Sequence, residues 1–153
     1  TTLFRSQIAE LATWVHSVDR LKIAERLSAQ NSQPDQAIQI CLQVNISAED
    51  SKSGVQGEQV FELARAVQKL PNLHLRGLMA IPAPEEDFAK QRRAFAAVRC
   101  LLEELNRDGF QLDTLSMGMT NDLEAAIAEG ATIVRIGTAI FGARTVSTAS
   151  IRS

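Results

Sequence analysis

The sequence predicts an α/β domain built on a parallel sheet. Two observations predict it. Strand-like runs alternate strictly with helical stripes, and 153 residues are enough for one domain with a real core. Strict βα alternation means parallel strands, because each helix carries the chain back to the start of the next strand. Two architectures meet the pattern. An open five-stranded doubly wound sheet suits this length. The other is part of a (β/α)8 barrel, a fold that usually needs ~250 residues. Length alone favours the open sheet.

The elements follow in order. Residues 13–19, TWVHSVD, are a short apolar run ending in Asp and read as a strand. Ser17 or Asp19 is expected to cap the helix at 21–30, whose Leu21, Ile23, Ala24 and Leu27 share roughly one face. NSQPDQ at 31–36 is a polar breaker. Residues 37–46, AIQICLQVNI, alternate in part with period two and read as the second strand. The polar loop at 47–59 is long, and loops of that length are more often functional than short ones. A helical stripe of Val60, Phe61, Ala64, Val67 and Leu70 spans 57–70 and ends at Pro71-Asn72. Residues 73–81, LHLRGLMAI, are the third strand, broken by Pro82-Ala83-Pro84.

A long helix is expected at 85–107. Glu85, Glu86 and Asp87 would fill its first turn, at the positive end of the dipole. Its apolar stripe takes in Phe88, Phe95, Val98, Leu101, Leu102 and Leu105, and Asp108-Gly109 closes it. Residues 112–116 form the fourth strand. Thr120 or Asn121 caps a helix at 122–129 that ends on Gly130. Residues 132–136 form the fifth strand, followed by a glycine turn at 137–142. The whole chain, 1–153, reads as a single domain with its core at 10–145 and a polar, frayed tail at 146–153.

Composition narrows the function. The formal net charge is −2 and no basic stripe carries interleaved aromatics, so nucleic acid is a poor partner. No apolar run reaches the ~18 residues of a membrane span, and TTLFRSQIAE lacks the apolar core of a signal peptide. Cys41 and Cys100 sit in apolar runs and read as free buried thiols. With no CxxC pair and no His near a Cys or another His, no metal site is expected, and the compartment reads as cytoplasmic. The first residue is Thr, so the chain reads as a processed product or part of a longer one.

The informative stretch is 112–142, where two strand ends about twenty residues apart each open into small residues and a turn. In Ser116-Met117-Gly118-Met119-Thr120-Asn121 the glycine permits a tight turn and two hydroxyls flank it. The N–H groups of Thr120, Asn121 and Asp122 open a helix, which suits an anion such as phosphate. A capped βα turn with no ligand explains the same residues. Arg135 is a cation in the middle of an otherwise uncharged, mostly apolar run. It reads either as the partner of Glu124 or Glu129, or as a group aimed at a ligand beside Gly137 and Thr138. Barrels often build a phosphate site from their last two βα loops. His16 and His74 read as ordinary core or surface residues. Residues 50–54 read as a solvated loop, and the pairs Glu85/Glu86 and Glu103/Glu104 as solvated helix faces.

Residues 116–144, SMGMTNDLEAAIAEGATIVRIGTAIFGAR, resemble the pyridoxal-5′-phosphate homeostasis protein family, single-domain relatives of the alanine racemase N-terminal barrel. WVHSVDRLKIAERL, VNISAEDSKSGV and LRGLMAIPAP follow the same family in order, so the resemblance covers about 10–145. It implies strands four to eight of a (β/α)8 barrel, with pyridoxal 5′-phosphate (PLP) at their C-terminal ends. Ser116, Thr120, Gly137 and Thr138 would cradle the phosphate, helped by backbone N–H groups around Met117 and Met119. Arg135 would face the pyridine nitrogen, and Met79 would lie near the ring. The resemblance implies a non-catalytic carrier or buffer of PLP. Position 120 is usually Ser in the family; Thr keeps the hydroxyl.

The family's lysine-bearing first strand has no counterpart in this sequence. Lys22, Lys52, Lys69 and Lys90 do not end an apolar strand, so PLP is expected to bind non-covalently at best. Two other functions stay open. An alanine-racemase-like enzyme would need a lysine base and usually a tyrosine, and the sequence has no Tyr. A phosphate-ligand binding module on an open α/β sheet would use the same glycine turns. Exposed sheet edges suggest self-association.

Overall fold

The structure, a computed structural model, describes residues 14–31, 35–46 and 54–135. Four strands form one sheet: β1 (Trp14–Val18), β2 (Ile38–Val44), β3 (Leu73–Ala80) and β4 (Thr114–Met117). Between them run α1 (Leu21–Gln30), α2 (Glu58–Gln68) and α3 (Phe88–Arg107), and α4 (Leu123–Ala128) follows β4. Every pairing is parallel and the spatial order is β1-β2-β3-β4. A doubly wound sheet reverses its strand order at a switch point, and this one does not. Sequential order with right-handed crossovers puts every helix on one face, as in a barrel wall. α1 packs on β1 and β3, α2 on β2 and β3, and α3 on β3 and β4. The chain is therefore a partial (β/α)8 barrel of alanine racemase N-terminal type, and the open doubly wound alternative fails on strand order.

The two faces differ as period-two alternation requires. Val15, Ile38, Ile40, Leu42, Val44, Leu75, Leu78, Ala80, Leu115 and Met117 join the helices in the apolar core. Trp14, His16, Gln39, Cys41, Gln43, Met79, Thr114 and Ser116 alternate with them and share the other face. The sheet is curved toward that second face. Neighbouring strands lie about 4.8 Å apart, so β1 and β4 would be about 14 Å apart in a flat sheet. Yet His16 Nδ1 on β1 lies 2.8 Å from Ser116 Oγ on β4.

Several local expectations are corrected. The fifth strand does not form within 132–135. Those residues make a single parallel bridge, Ser116 to Ile133, and position 136 lies outside the described residues. Thr132 N–H instead donates to Leu115 O, and its hydroxyl receives the Leu115 N–H at 2.9 Å. α3 starts at Phe88, not at 85. Glu85 and Glu86 precede it, and Asp87 is its N-cap, accepting from Lys90 N–H at 3.0 Å. Phe88 is then on the first exposed turn, 47% accessible, rather than in the core stripe. Cys100 is exposed because it lies about 200° around the helix from buried Val98. Neither Ser17 nor Asp19 caps α1: its N-cap is Arg20, without a side-chain bond, and Leu21 is exposed.

β3 and β4 meet without room for a side chain between them. A Cβ on Gly77 would lie 1.8 Å from the Thr114 carbonyl oxygen, so only glycine allows this backbone approach. Gly77→Ala should therefore push β4 off β3 and cost stability at the upper end of the ~1–3 kcal/mol typical of overpacking. Chemical denaturation checks it: the midpoint should fall, and an unchanged midpoint would mean the strands are not held this close.

Candidate functional site

The candidate site lies at the C-terminal ends of β3 and β4, on the face without helices. β4 is buried along its length, and Ser116 has no exposed surface. Ser116 pairs in register with Met79 of β3, which is 3% exposed, and Met117 pairs with Ala80. Gly118 turns the chain with φ +105°, and a Cβ there would come within 2.6 Å of the Ala126 Cβ. Glycine is required twice over, for the left-handed backbone and for the packing of the turn on α4. Met119 N–H donates to Asp122 Oδ1 at 2.6 Å, and a 3-10 turn, Thr120–Asp122, leads into α4. The N-cap of α4 is Asp122, without a side-chain bond to the helix, rather than the expected Thr120 or Asn121.

The second turn is tied to the first. Met117 N–H donates to Ile133 O, and Arg135 N–H donates to Gly118 O at 2.9 Å. The Met117 and Met119 amides assigned to a phosphate are consequently occupied by protein oxygens. Among the described residues, the N–H groups of Thr120 and Asn121 and the Thr120 hydroxyl have no acceptor or donor, and both residues are exposed. Arg135 is exposed and forms no ion pair among the described residues. The carboxylate offered as its structural partner, Glu129, is taken by Arg92 (2.6 Å) and Arg99 (3.1 Å) of α3. Glu124 likewise makes no ion pair among the described residues.

His16, which the sequence reads as an ordinary core or surface residue, reaches Ser116 of this corner at 2.8 Å. It sits in mid-β1, half-buried, with its ring 5.8 Å from the Trp14 ring in an edge-on contact. Burial first, and then the positive charge of Arg135, lower its pKa below the ordinary histidine value. Its signal was the alternation that puts Trp14 and His16 on one face; nothing in sequence spacing pairs β1 with β4. Cys41 shares that face, and burial pushes its thiol up to about 12, so it stays protonated. At the opposite, N-terminal end of the face, Arg76 binds Asp113 twice (3.0 and 2.9 Å). It also donates to Gln39 and lies 4.9 Å over the Trp14 ring. Arg76 therefore closes the floor away from the site. His74 is exposed, as expected.

Of the residues predicted for the site, Met79, Ser116, Met117, Met119, Thr120 and Arg135 converge on one strand-end corner. Gly137 and Thr138 lie outside the described residues, as does Lys52. Lys22 and Lys90 belong to α1 and α3, in the helix layer, and Lys69 caps α2 at its C-terminus. No group of three or more His, Cys, Asp or Glu residues is placed to hold a metal among the described residues. No described helix is long and apolar enough to cross a membrane.

The fold defines a β/α-barrel protein, a class that builds its sites at the carboxyl ends of its strands, where the candidate residues gather. The chain belongs to the alanine racemase N-terminal domain family, whose model matches residues 4–145. It is 62% identical over 137 residues to the pyridoxal phosphate homeostasis protein of Pseudomonas aeruginosa, covering 90% of this chain and 58% of that one. It is 51% identical over 142 residues to the protein of the same name from Pasteurella multocida, covering 92% and 61%. The chain thus spans about three fifths of the length of these relatives. PipY of Synechococcus elongatus, solved with PLP bound, superposes with a TM-score of 0.83 at 31% identity, covering 93% of this chain and 66% of that one. A D-threonine aldolase from Filomicrobium marinum, 17% identical with a TM-score of 0.75, shares the fold alone.

The Arg92–Glu129–Arg99 cluster ties α3 to the α4 end of the site, and its pH dependence follows from the carboxylate. Hydrogen bonds from Arg92 and then Arg99 lower the Glu129 pKa below its ordinary value. A carboxylate lowered on folding stabilises above its unfolded pKa and loses that contribution as pH falls through the folded one. Glu129→Gln should lower the melting temperature at pH 7, and the gap to the parent should close below roughly pH 4. A gap that persists unchanged at pH 3 would assign the loss to packing instead.

Proposed function

We propose that this chain binds pyridoxal 5′-phosphate at the β3–β4 corner and serves PLP homeostasis as a non-catalytic carrier. The observation that carries the reading is the Arg135–Gly118 tie. It sets the Arg135 backbone, whose guanidinium has no ion pair among the described residues, beside the turn that holds Thr120 and follows the Met79–Ser116 pair. The relatives' names and the PLP-bound PipY structure support the choice of ligand.

The donor set fits the ligand. Thr120 offers a hydroxyl and an N–H, and Asn121 a second N–H, to the phosphate; Gly137 and Thr138 would complete the cradle. Met79 and Ser116 form the floor under the ring. Ser116 serves as floor rather than as a phosphate contact, because its hydroxyl is fully buried and held by His16. Arg135 faces the pyridine nitrogen. When bound, PLP supplies an aldehyde that condenses with amines and a ring that accepts electrons. An Arg side chain keeps its proton, so the ring nitrogen facing it stays unprotonated and the ring is a weak electron sink. The described lysines stay in the helix layer, so the described residues hold PLP without a covalent bond.

A cytoplasmic location belongs to the same reading, supported by the free thiols of Cys41 and Cys100. So does self-association along β1, which has a strand neighbour on one side only among the described residues.

Trp14 is the sole tryptophan, so its emission reports binding on this face. PLP should quench it, and Arg135→Ala and Thr120→Ala should each weaken binding about tenfold, the size of one lost charge-assisted or neutral hydrogen bond. Equal affinity in both variants would put the ligand elsewhere. Borohydride treatment should leave Lys22, Lys52, Lys69 and Lys90 unmodified by mass; reduction onto one of them would overturn non-covalent binding.

A further inference from the structure

We infer that His16 is a positioning residue of this site: its hydrogen bond to Ser116, made across the whole arc of the sheet, holds the strand end that carries the Gly118 turn and Arg135. The inference rests on the PLP reading for the ligand, but its geometry stands apart from it. His16 and Ser116 come from the first and fourth strands, with β2 and β3 between them. Their 2.8 Å contact is a side-chain strut between the ends of a curved sheet.

What the strut holds is specific. Ser116 is fully buried and bridges to Ile133; Met117 N–H bonds Ile133 O, and Gly118 O receives the Arg135 N–H. A displacement of Ser116 is therefore passed by three consecutive backbone links to Arg135. No other side-chain hydrogen bond or ion pair joins β1 to this corner among the described residues.

Charge makes the second half of the case. The ionisable groups of this face are Cys41 on β2, His74 on β3, exposed at the far N-terminal end beside Gln39, Arg76 on β3 with its partner Asp113, and Arg135 after β4. Cys41 stays neutral and Arg76 is neutralised, so Arg135 is the charge that His16 meets. A neutral imidazole can hold the Ser116 hydroxyl without repelling that guanidinium. A protonated one repels it, and burial disfavours the protonated form as well.

The experiment uses the full chain and has two arms. In the first, PLP affinity is measured by Trp14 emission in His16→Phe and His16→Asn. The phenyl ring fills the space without a hydrogen bond; the Asn amide reaches about where Nδ1 lies. His16→Phe should weaken PLP about tenfold while the fold is retained by circular dichroism, and His16→Asn should recover most of the loss. In the second arm, His16 is titrated by nitrogen NMR or through its quenching of Trp14. Its midpoint should lie below the ordinary histidine value and move up in Arg135→Ala, which reports the His16–Arg135 link; the recovered affinity in His16→Asn is the readout a merely structural role would not give.

Wild-type PLP affinity in a folded His16→Phe protein would overturn the inference. So would a His16 midpoint that ignores Arg135→Ala. If His16→Phe fails to fold, the Arg135→Ala titration decides alone. If the parent chain binds no PLP, the ligand reading falls, whereas the titration still tests the His16–Arg135 link.

Discussion

The close approach of β3 to β4 at Gly77 is the contact on which the site depends. It brings the Thr114 backbone to where a side chain would otherwise stand, and so sets the register that puts Met79 beside Ser116 and Ala80 beside Met117. Once that register is fixed, period-two alternation assigns every following residue to a face. A slip of one position would carry Ser116 into the apolar core and Met117 onto the site face. The Gly118 turn then packs on Ala126 with no space to spare, and Arg135 is hydrogen bonded to the turn. Position 135 is thus set from position 77 by backbone contacts.

The two faces of the sheet do different work for a common reason. On one, helices bury aliphatic side chains, and the burial of that apolar area supplies the main stabilisation. The other carries Trp14, Gln39, Gln43, Arg76, His16 and Ser116, a set that would be costly against a helix unless each polar group found a partner. The partners are found within the face. Arg76 bridges Gln39 and Asp113 and covers Trp14, and His16 meets Ser116. At the strands' C-terminal end the pairing stops, with Thr120 and Arg135 unpartnered among the described residues. Unsatisfied polar groups at that end, and satisfied ones at the other, give the face its direction.

Most of the fold was legible in the sequence, because it is carried by short-range signals. The alternation of IQICLQV and LHLRGLMA with amphipathic helices fixed four strands and three long helices to within three residues at each end. Element ends were less legible. Glu85 to Asp87 suit a first helical turn by charge, but Asp87 does more as a cap, and the helix begins after it. The run TIVRI has strand-like composition, yet 132–135 pairs with β4 through one bridge only. Length misled over architecture, since strand order is a tertiary property that no local pattern reports. In the site, the glycine turn and Arg135 were visible as local oddities. His16 was not, because its partner is 100 residues away and curvature alone brings them together.

Arg135 shows how far such reasoning goes. An isolated cation in an apolar run has two explanations, an ion pair or a ligand, and sequence cannot separate them. Two acidic residues stood within reach of the pattern. The structure gives the buried carboxylate of Glu129 to two other arginines, both from α3, and leaves Glu124 without an ion pair among the described residues. α3 passes behind the sheet, on the helix side, so Glu129 points away from the face where His16 registers the Arg135 charge. The acid and the cation are near in sequence and on opposite sides of the wall. That separation leaves Arg135 available as a charge at a strand end, next to a turn with open amides. A small anionic ring ligand needs a fixed positive charge at one end and hydrogen-bond donors at the other.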